Sequence, residues 1–193
     1  MTQSPIVVAC LRSCARQRRG VTVILVAVLL VFIMGVVALA VDVGYLYMNR
    51  AQLQTCADSG SLAGAEALLS DALVRTSPDY TSGQSAARAA AVQFASANRV
   101  GTKFPTVESN TSNDPNGDVV LGYLADPTNA AASLDRTNPA LFNAVQVRVR
   151  KNSEINGTVP SFFSRVWGNP GNAVTARATS MVSSSITGFL LTS

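Results

Sequence analysis

The chain has 193 residues, enough for one modest domain with a real hydrophobic core plus an anchoring segment. Apolar residues make up 48 % and aromatic residues only 6 %, so any core must be assembled from alanine and valine. The formal net charge of +4 has a local source. Arg12, Arg16, Arg18 and Arg19 fall within the first twenty residues, which hold no acid, leaving eleven basic against eleven acidic residues in the rest. That placement argues against a nucleic-acid surface, which spreads basic residues over the folded domain. Histidine is absent, which removes the commonest neutral-pH general base and the commonest zinc ligand. Cys10, Cys14 and Cys56 form no metal or disulfide framework. No nucleophile–base pairing, phosphate-cradling glycine loop or internal repeat is readable, so neither an enzyme nor a small-molecule or cofactor site is expected.

Residues 1–20 read as a basic leader. Residues 21–41, "VTVILVAVLLVFIMGVVALAV", contain no charge and a single threonine. At 1.5 Å per residue they cover roughly 30 Å, the hydrocarbon thickness of a bilayer. Val21 and Val41 are the expected ends of a membrane-spanning helix. The four arginines place its N-terminal side in the cytoplasm, and Asp42, Tyr45 and Tyr47 stand where interfacial residues settle on the far side. A cleaved signal peptide is the competing reading, because Ala38 and Ala40 satisfy the small-x-small rule for a cut after Ala40. The run is longer than the usual signal-peptide core of about 7–15 residues, which favours a retained anchor.

No proline occurs between Pro5 and Pro78, so the helix is expected to continue over residues 42–70. Leu46, Leu53, Cys56, Ala57, Gly60, Ala63, Gly64 and Ala67 fall on one stripe at helical spacing. Asn49, Gln52, Thr55, Asp58, Ser59, Ser61 and Glu66 are expected mostly elsewhere on the surface. The small-residue stripe, with Gly60 and Gly64 four apart, suits close approach of another backbone. That backbone belongs either to a neighbouring chain or to the same domain. Cys56 is either a small packing residue or an outward thiol available for an intermolecular bond.

Residues 71–193 read as a small α+β domain. A second helix is expected over about 83–99, its alanines suited to the small stripe. The segment "ESNTSNDPNGD", 108–118, reads as turns leading into a strand, since the spacing of an EF-hand is missing. Strands are expected over about 118–125, 144–150 and 173–182. In the second, Val145, Val147 and Val149 alternate with Gln146, Arg148 and Arg150, the mark of an antiparallel sheet with one covered face. The segment "VPSFFSRVWG", 159–168, reads as a short helix whose Phe162, Phe163 and Trp167 plug one end of the core. The apolar end "ITGFLL" either packs back on the sheet or leads into further chain.

The elements "RRG" at 18–20, "ALAVDVGYLY" at 38–47, "AQLQ" at 51–54 and "CADSGSLAGA" at 56–65 occur in this order. The segment they define, 16–68, closely resembles the N-terminal region of TadG-like proteins of the Flp/Tad (tight adherence) pilus-assembly system. The resemblance implies a non-enzymatic, pilin-like, single-pass protein of the bacterial cytoplasmic membrane, its C-terminal domain periplasmic or extracellular, with protein partners in a pilus or envelope assembly. A secreted adhesive or binding module, released by cleavage after Ala40, is the alternative. Gly20 is a second candidate processing position, because prepilins are cut after glycine. The fifth residue beyond it is Leu25, where prepilins carry glutamate. The metal pattern Asp-x-Ser-x-Ser of the von Willebrand A domains found in some relatives is not met at Asp58, Ser59, Gly60 and Ser61.

Overall fold

The computed structural model describes residues 18–69, 79–129 and 132–183. The fold is α+β: a long helix α1 (Arg18–Ala67), a second helix α2 (Tyr80–Ala97), and strands β1 (Val119–Gly122), β2 (Ala144–Lys151), β3 (Val159–Pro160), β4 (Gly171–Asn172) and β5 (Val174–Met181). Helix α1 runs 50 residues without interruption, which corresponds to about 75 Å at 1.5 Å per residue.

Its two halves meet different surroundings. From Gly20 to Val41 every residue except Ala38 is exposed. Beyond Leu46 the helix becomes the spine of the domain, with Leu53, Cys56, Ala57, Ala65 and Leu68 buried. Helix α2 starts at Asp79, whose carboxylate accepts the Ser82 N–H at 3.0 Å and so satisfies one free donor of the first turn. It ends at Asn98, whose amide donates to Ser59 Oγ at 2.9 Å and ties the helix back to α1. The contacts run in opposite senses along the two helices, Ser59 beside Phe94 and Gly64 beside Ala87, so α2 lies antiparallel to α1.

Strand β2 is central in a three-stranded antiparallel sheet of order β1-β2-β5. Val119 pairs with Val147 and Gly122 with Ala144 on one side; Ala144 pairs with Met181 and Lys151 with Val174 on the other. Alternation sends Val145, Val147 and Val149 of β2 with Val174 and Ala176 of β5 into the core beneath the helices. The opposite face carries Gln146, whose amide donates to Thr179 Oγ1 of the paired position at 3.1 Å. Strand β1 is shorter than the 118–125 stretch expected for it and is buried along its whole length. The chain leaves the ladder at Tyr123, which exchanges backbone hydrogen bonds with Asp135 instead. Leu134 and Asp135 thereby lie against the end of β1. A Cβ on Gly122 would lie 2.7 Å from the Leu134 Cβ, so only glycine admits this approach.

Strands β3 and β4 form a separate two-stranded ribbon. The loop joining them contains a single 3-10 turn, Ser164–Trp167, closed by Gly168 at φ +85°. The sequence leads one to expect a short aromatic helix over 159–168 whose rings plug one end of the core. The loop instead keeps Phe162, Phe163 and Trp167 outside, for a reason that lies on α1.

Candidate functional site

With no cleft chemistry to follow, the surfaces of α1 are the candidate site, taken from the N-terminus outward. Arg12 and Arg16 lie outside the described residues, as do Cys10, Cys14 and the C-terminal "ITGFLL". Arg18 and Arg19 form the first turn of α1. Val21 and Val41, the expected span ends, are both exposed, as are the candidate processing positions Gly20 and Ala40, which lie within continuous helix. A Cβ placed on Gly20, Gly35 or Gly44 would meet nothing within 4 Å. Helix α1 is the one described helix long and apolar enough to cross a membrane.

The border of the apolar run is built more specifically than an interfacial position requires. The Asp42 carboxylate accepts the backbone N–H groups of Phe162 at 2.8 Å, Phe163 at 3.1 Å and Ser164 at 2.7 Å. Three successive donors converge on one anion, as in a backbone nest. These bonds, led by Ser164, hold the carboxyl below the ordinary aspartate value. Tyr45, one turn further, is half-buried and meets the Phe162 ring edge-on at 5.2 Å. Tyr47 points away and is exposed. The sequence offers little warning of the Asp42 contact, because its partners are 120 residues distant.

Along the packed half, Leu53, Cys56 and Ala57 are fully buried, Leu46 and Ala67 pack at the edge of the core, and Ala63 is half-buried. Gly60 and Gly64 mark the closest approach of the helices. A Cβ on Gly60 would lie 2.8 Å from the Ala91 carbonyl oxygen and from the Ala95 Cβ. A Cβ on Gly64 would lie 2.9 Å from Val145 Cγ1 and 3.1 Å from the Ala91 Cβ. The small-residue stripe is thus filled by α2 and β2 of the same chain, not held open for a neighbour. The Cys56 thiol faces inward and donates to the Asn98 carbonyl at 3.5 Å; burial pushes its pKa up to about 11. An outward thiol is not what the fold provides.

Two residues assigned to the polar side of α1 need correction. Asn49 and Ser61 are each only 1 % exposed. The Asn49 amide donates to the Tyr45 carbonyl at 2.9 Å, and its oxygen lies against the space beside Gly101. Ser61 Oγ shares a hydrogen bond with Ser180 Oγ of β5 at 2.8 Å, so a polar clasp joins helix to sheet inside an apolar seam.

Sequence reading also missed a buried guanidinium. Arg88 projects from α2 into the turn-rich loop, donating to the carbonyls of Ser109, Asn110 and Val119 at 3.2, 2.8 and 3.1 Å and to Asn113 Oδ1 at 3.0 Å. Asn113 in turn brackets Leu121, accepting its N–H and donating to its carbonyl. The polar side chains of 108–118 are spent on organising this entry into β1. Asp118, 1 % exposed, accepts the Arg150 Nε–H at 2.8 Å. Arg150, on the polar side of β2, therefore has its acidic partner within the chain. The same face of the sheet bears an open groove of about 620 Å³, flanked by Arg136, Gln146, Arg177 and Thr179.

None of the curated proteins matches the chain, and no solved structure matches it. Two family matches cover it almost end to end. Residues 20–67 match the TadE/G-like Flp pilus-assembly family, and residues 63–180 match a Tad-like Flp pilus-assembly family. The first match coincides with α1 and the second runs from its packed end through β5, overlapping where the helix enters the core. The second match spans more than half of the chain, which therefore belongs to the Tad-like Flp pilus-assembly family.

Proposed function

We propose that this protein is a non-enzymatic, membrane-anchored component of Flp/Tad pilus assembly, whose long helix fixes a small exported domain at a set distance and angle from the bilayer. One observation carries the reading: α1 passes from a half with bare apolar side chains on every side to a half sealed in the core, with no break between them. A helix that is apolar all round is stable only where hydrocarbon surrounds it. The basic leader orients it with its N-terminus in the cytoplasm of the cell's inner membrane, and the domain outside. Continuous helix in place of a linker makes the emerging half a rigid stalk.

The proposed roles follow from position. Val21 and Val41 bound the span, Arg12, Arg16, Arg18 and Arg19 set its direction, and Asp42, Tyr45 and Tyr47 mark its exit. Leu46, Leu53, Cys56, Ala57, Gly60, Ala63 and Gly64 bind the stalk to its own domain, so the protein partners of the assembly dock elsewhere. Neither a nucleic acid nor a small-molecule substrate is part of the proposal.

The test is topological. In cells, the intact protein is expected to resist alkaline extraction from the membrane fraction, and protease supplied outside the cytoplasmic membrane is expected to remove the domain but spare the leader. Sequencing the recovered N-terminus separates the alternatives: an intact leader is expected, whereas a start at Val21 indicates pilin-type processing and a start at Val41 indicates a released module. Loss of surface pili on gene deletion, with metabolism unaltered, is the expected phenotype.

A further inference from the structure

The loop between β3 and β4 gathers four exposed large apolar side chains between residues 162 and 167. Phe162 and Phe163 are 57 % and 44 % exposed, and Val166 and Trp167 are 82 % and 80 % exposed. Trp167 is the sole tryptophan of the chain. Large apolar side chains gathered on one exposed turn mark a contact surface, since isolated ones scatter. This turn is also held in place. Asp42 takes its three successive N–H groups, Tyr45 takes the edge of Phe162, and the Ser161 N–H donates to the Pro170 carbonyl at the base of the loop.

Its position along α1 identifies what it meets. Asp42 is the first residue after the apolar run, and helix side chains lean toward the N-terminus. Ala38 lies one turn before Asp42 on the same stripe and is buried, unlike every other residue from Gly20 to Val41. The loop is thus fastened to α1 at Asp42 and Tyr45, immediately beyond the end of the apolar run.

We propose that the loop 161–168 is a second membrane contact, its Phe162, Phe163, Val166 and Trp167 seated in the interfacial layer of the leaflet from which α1 emerges. The proposal rests on the reading of α1 as a membrane anchor. Aromatic rings favour this layer because one part of it is apolar and the other wet. Arg165, exposed between the rings, is placed to meet lipid phosphate while its stem stays along the apolar surface. Lipid is the occupant because the phase that covers residues 21–41 reaches its border at Asp42, the residue to which the loop is fastened. A single helix leaves a domain free to rotate about the helix axis. A second contact to one side removes that freedom and fixes which face of the domain looks along the membrane.

Trp167 reports on this directly. The full chain is placed in lipid nanodiscs whose acyl chains carry bromine near the headgroups or near the bilayer centre, and tryptophan quenching is read for each. Strong quenching by the shallow bromines, weak quenching by the deep ones and protection from aqueous acrylamide are expected. Asp42→Ala is expected to lose the shallow quenching while the chain stays in the disc. Phe163→Ser with Val166→Ser, both at exposed positions, is expected to weaken it without changing the melting of the domain. A Trp167 that stays open to acrylamide and unquenched overturns the proposal. One shielded from acrylamide yet unquenched by either lipid also overturns it, assigning the patch to protein. Unchanged quenching in Asp42→Ala removes Asp42 from its positioning role. Flotation of the same protein with alkali-washed vesicles keeps the readings apart: failure to float sinks the anchor itself, whereas flotation with an unquenched Trp167 sinks the loop contact alone.

Discussion

The two halves of α1 share one backbone and one secondary structure, yet they are specified by opposite rules. In residues 21–41 side-chain size varies freely, with valine, leucine, phenylalanine and methionine all exposed and Gly35 facing open space. From Leu53 to Leu68 size is the controlled quantity, because alanine and glycine set how near α2 and β2 can come. Apolar content therefore does not distinguish an anchor from a core helix; tolerance of shape does. A lipid solvent adapts to whatever side chain it meets, and a packed domain does not.

Substitution at matched positions tests that contrast. Leu53→Ala is expected to cost about 2–5 kcal/mol of domain stability, while Leu30→Ala, exposed in the bare half, should stay within about 0.5 kcal/mol; thermal unfolding of the two variants in detergent measures both. Equal effects would mean that the bare half is packed after all. Ile33→Arg should reverse the pattern, costing about 2.5–3.5 kcal/mol of membrane insertion and leaving the melting of the domain unaltered, as read from the fraction resisting alkaline extraction. Cys56 sharpens the packed side chemically. Its raised pKa leaves about a hundredfold less thiolate at neutral pH than an ordinary cysteine has. Maleimide labelling in a Cys10→Ser, Cys14→Ser background should therefore be slow until the protein unfolds.

Glycines give the next contrast. Gly60→Ala drives a methyl into the Ala91 carbonyl and Ala95 and is expected to cost about 1–3 kcal/mol. Gly35→Ala meets nothing and should stabilise helix by up to about 1 kcal/mol. The smallest effect concerns the border. Because Asp42 is held below the ordinary aspartate value, its docking of the loop is fully present above pH 3.8 and is lost as pH falls through the lower folded value. Trp167 emission should thus be constant from neutrality down to pH 3.8 and change only in stronger acid; a transition near pH 6 would mean that another group controls the loop.

What could be read beforehand followed from periodicity. The length of the bare run, the small stripe and the alternation in β2 are each repeated signals, and each corresponds to one continuous surface of the fold. What periodicity could not show lies in single residues whose partners are remote in sequence. Asp42 looks like the end of an apolar run until Phe162, Phe163 and Ser164 are brought to it. Asn49 and Ser61 look solvated until Gly101 and Ser180 close over them. Arg88 is one charge in an alanine-rich helix, and its four acceptors come from loop and strand. Phe162, Phe163 and Trp167 were assigned to the core because large rings usually go there. That rule assumes water is the alternative, and this loop is fastened at the end of a membrane-length apolar run.

The stalk is also the central slab of the folded body, since Leu53, Cys56, Ala57, Ala65 and Leu68 belong to the same core cluster as the valines of β2. A cut between Leu46 and Leu53 would leave all five of these side chains on the domain side, parting the apolar run from the body without removing a wall of its core.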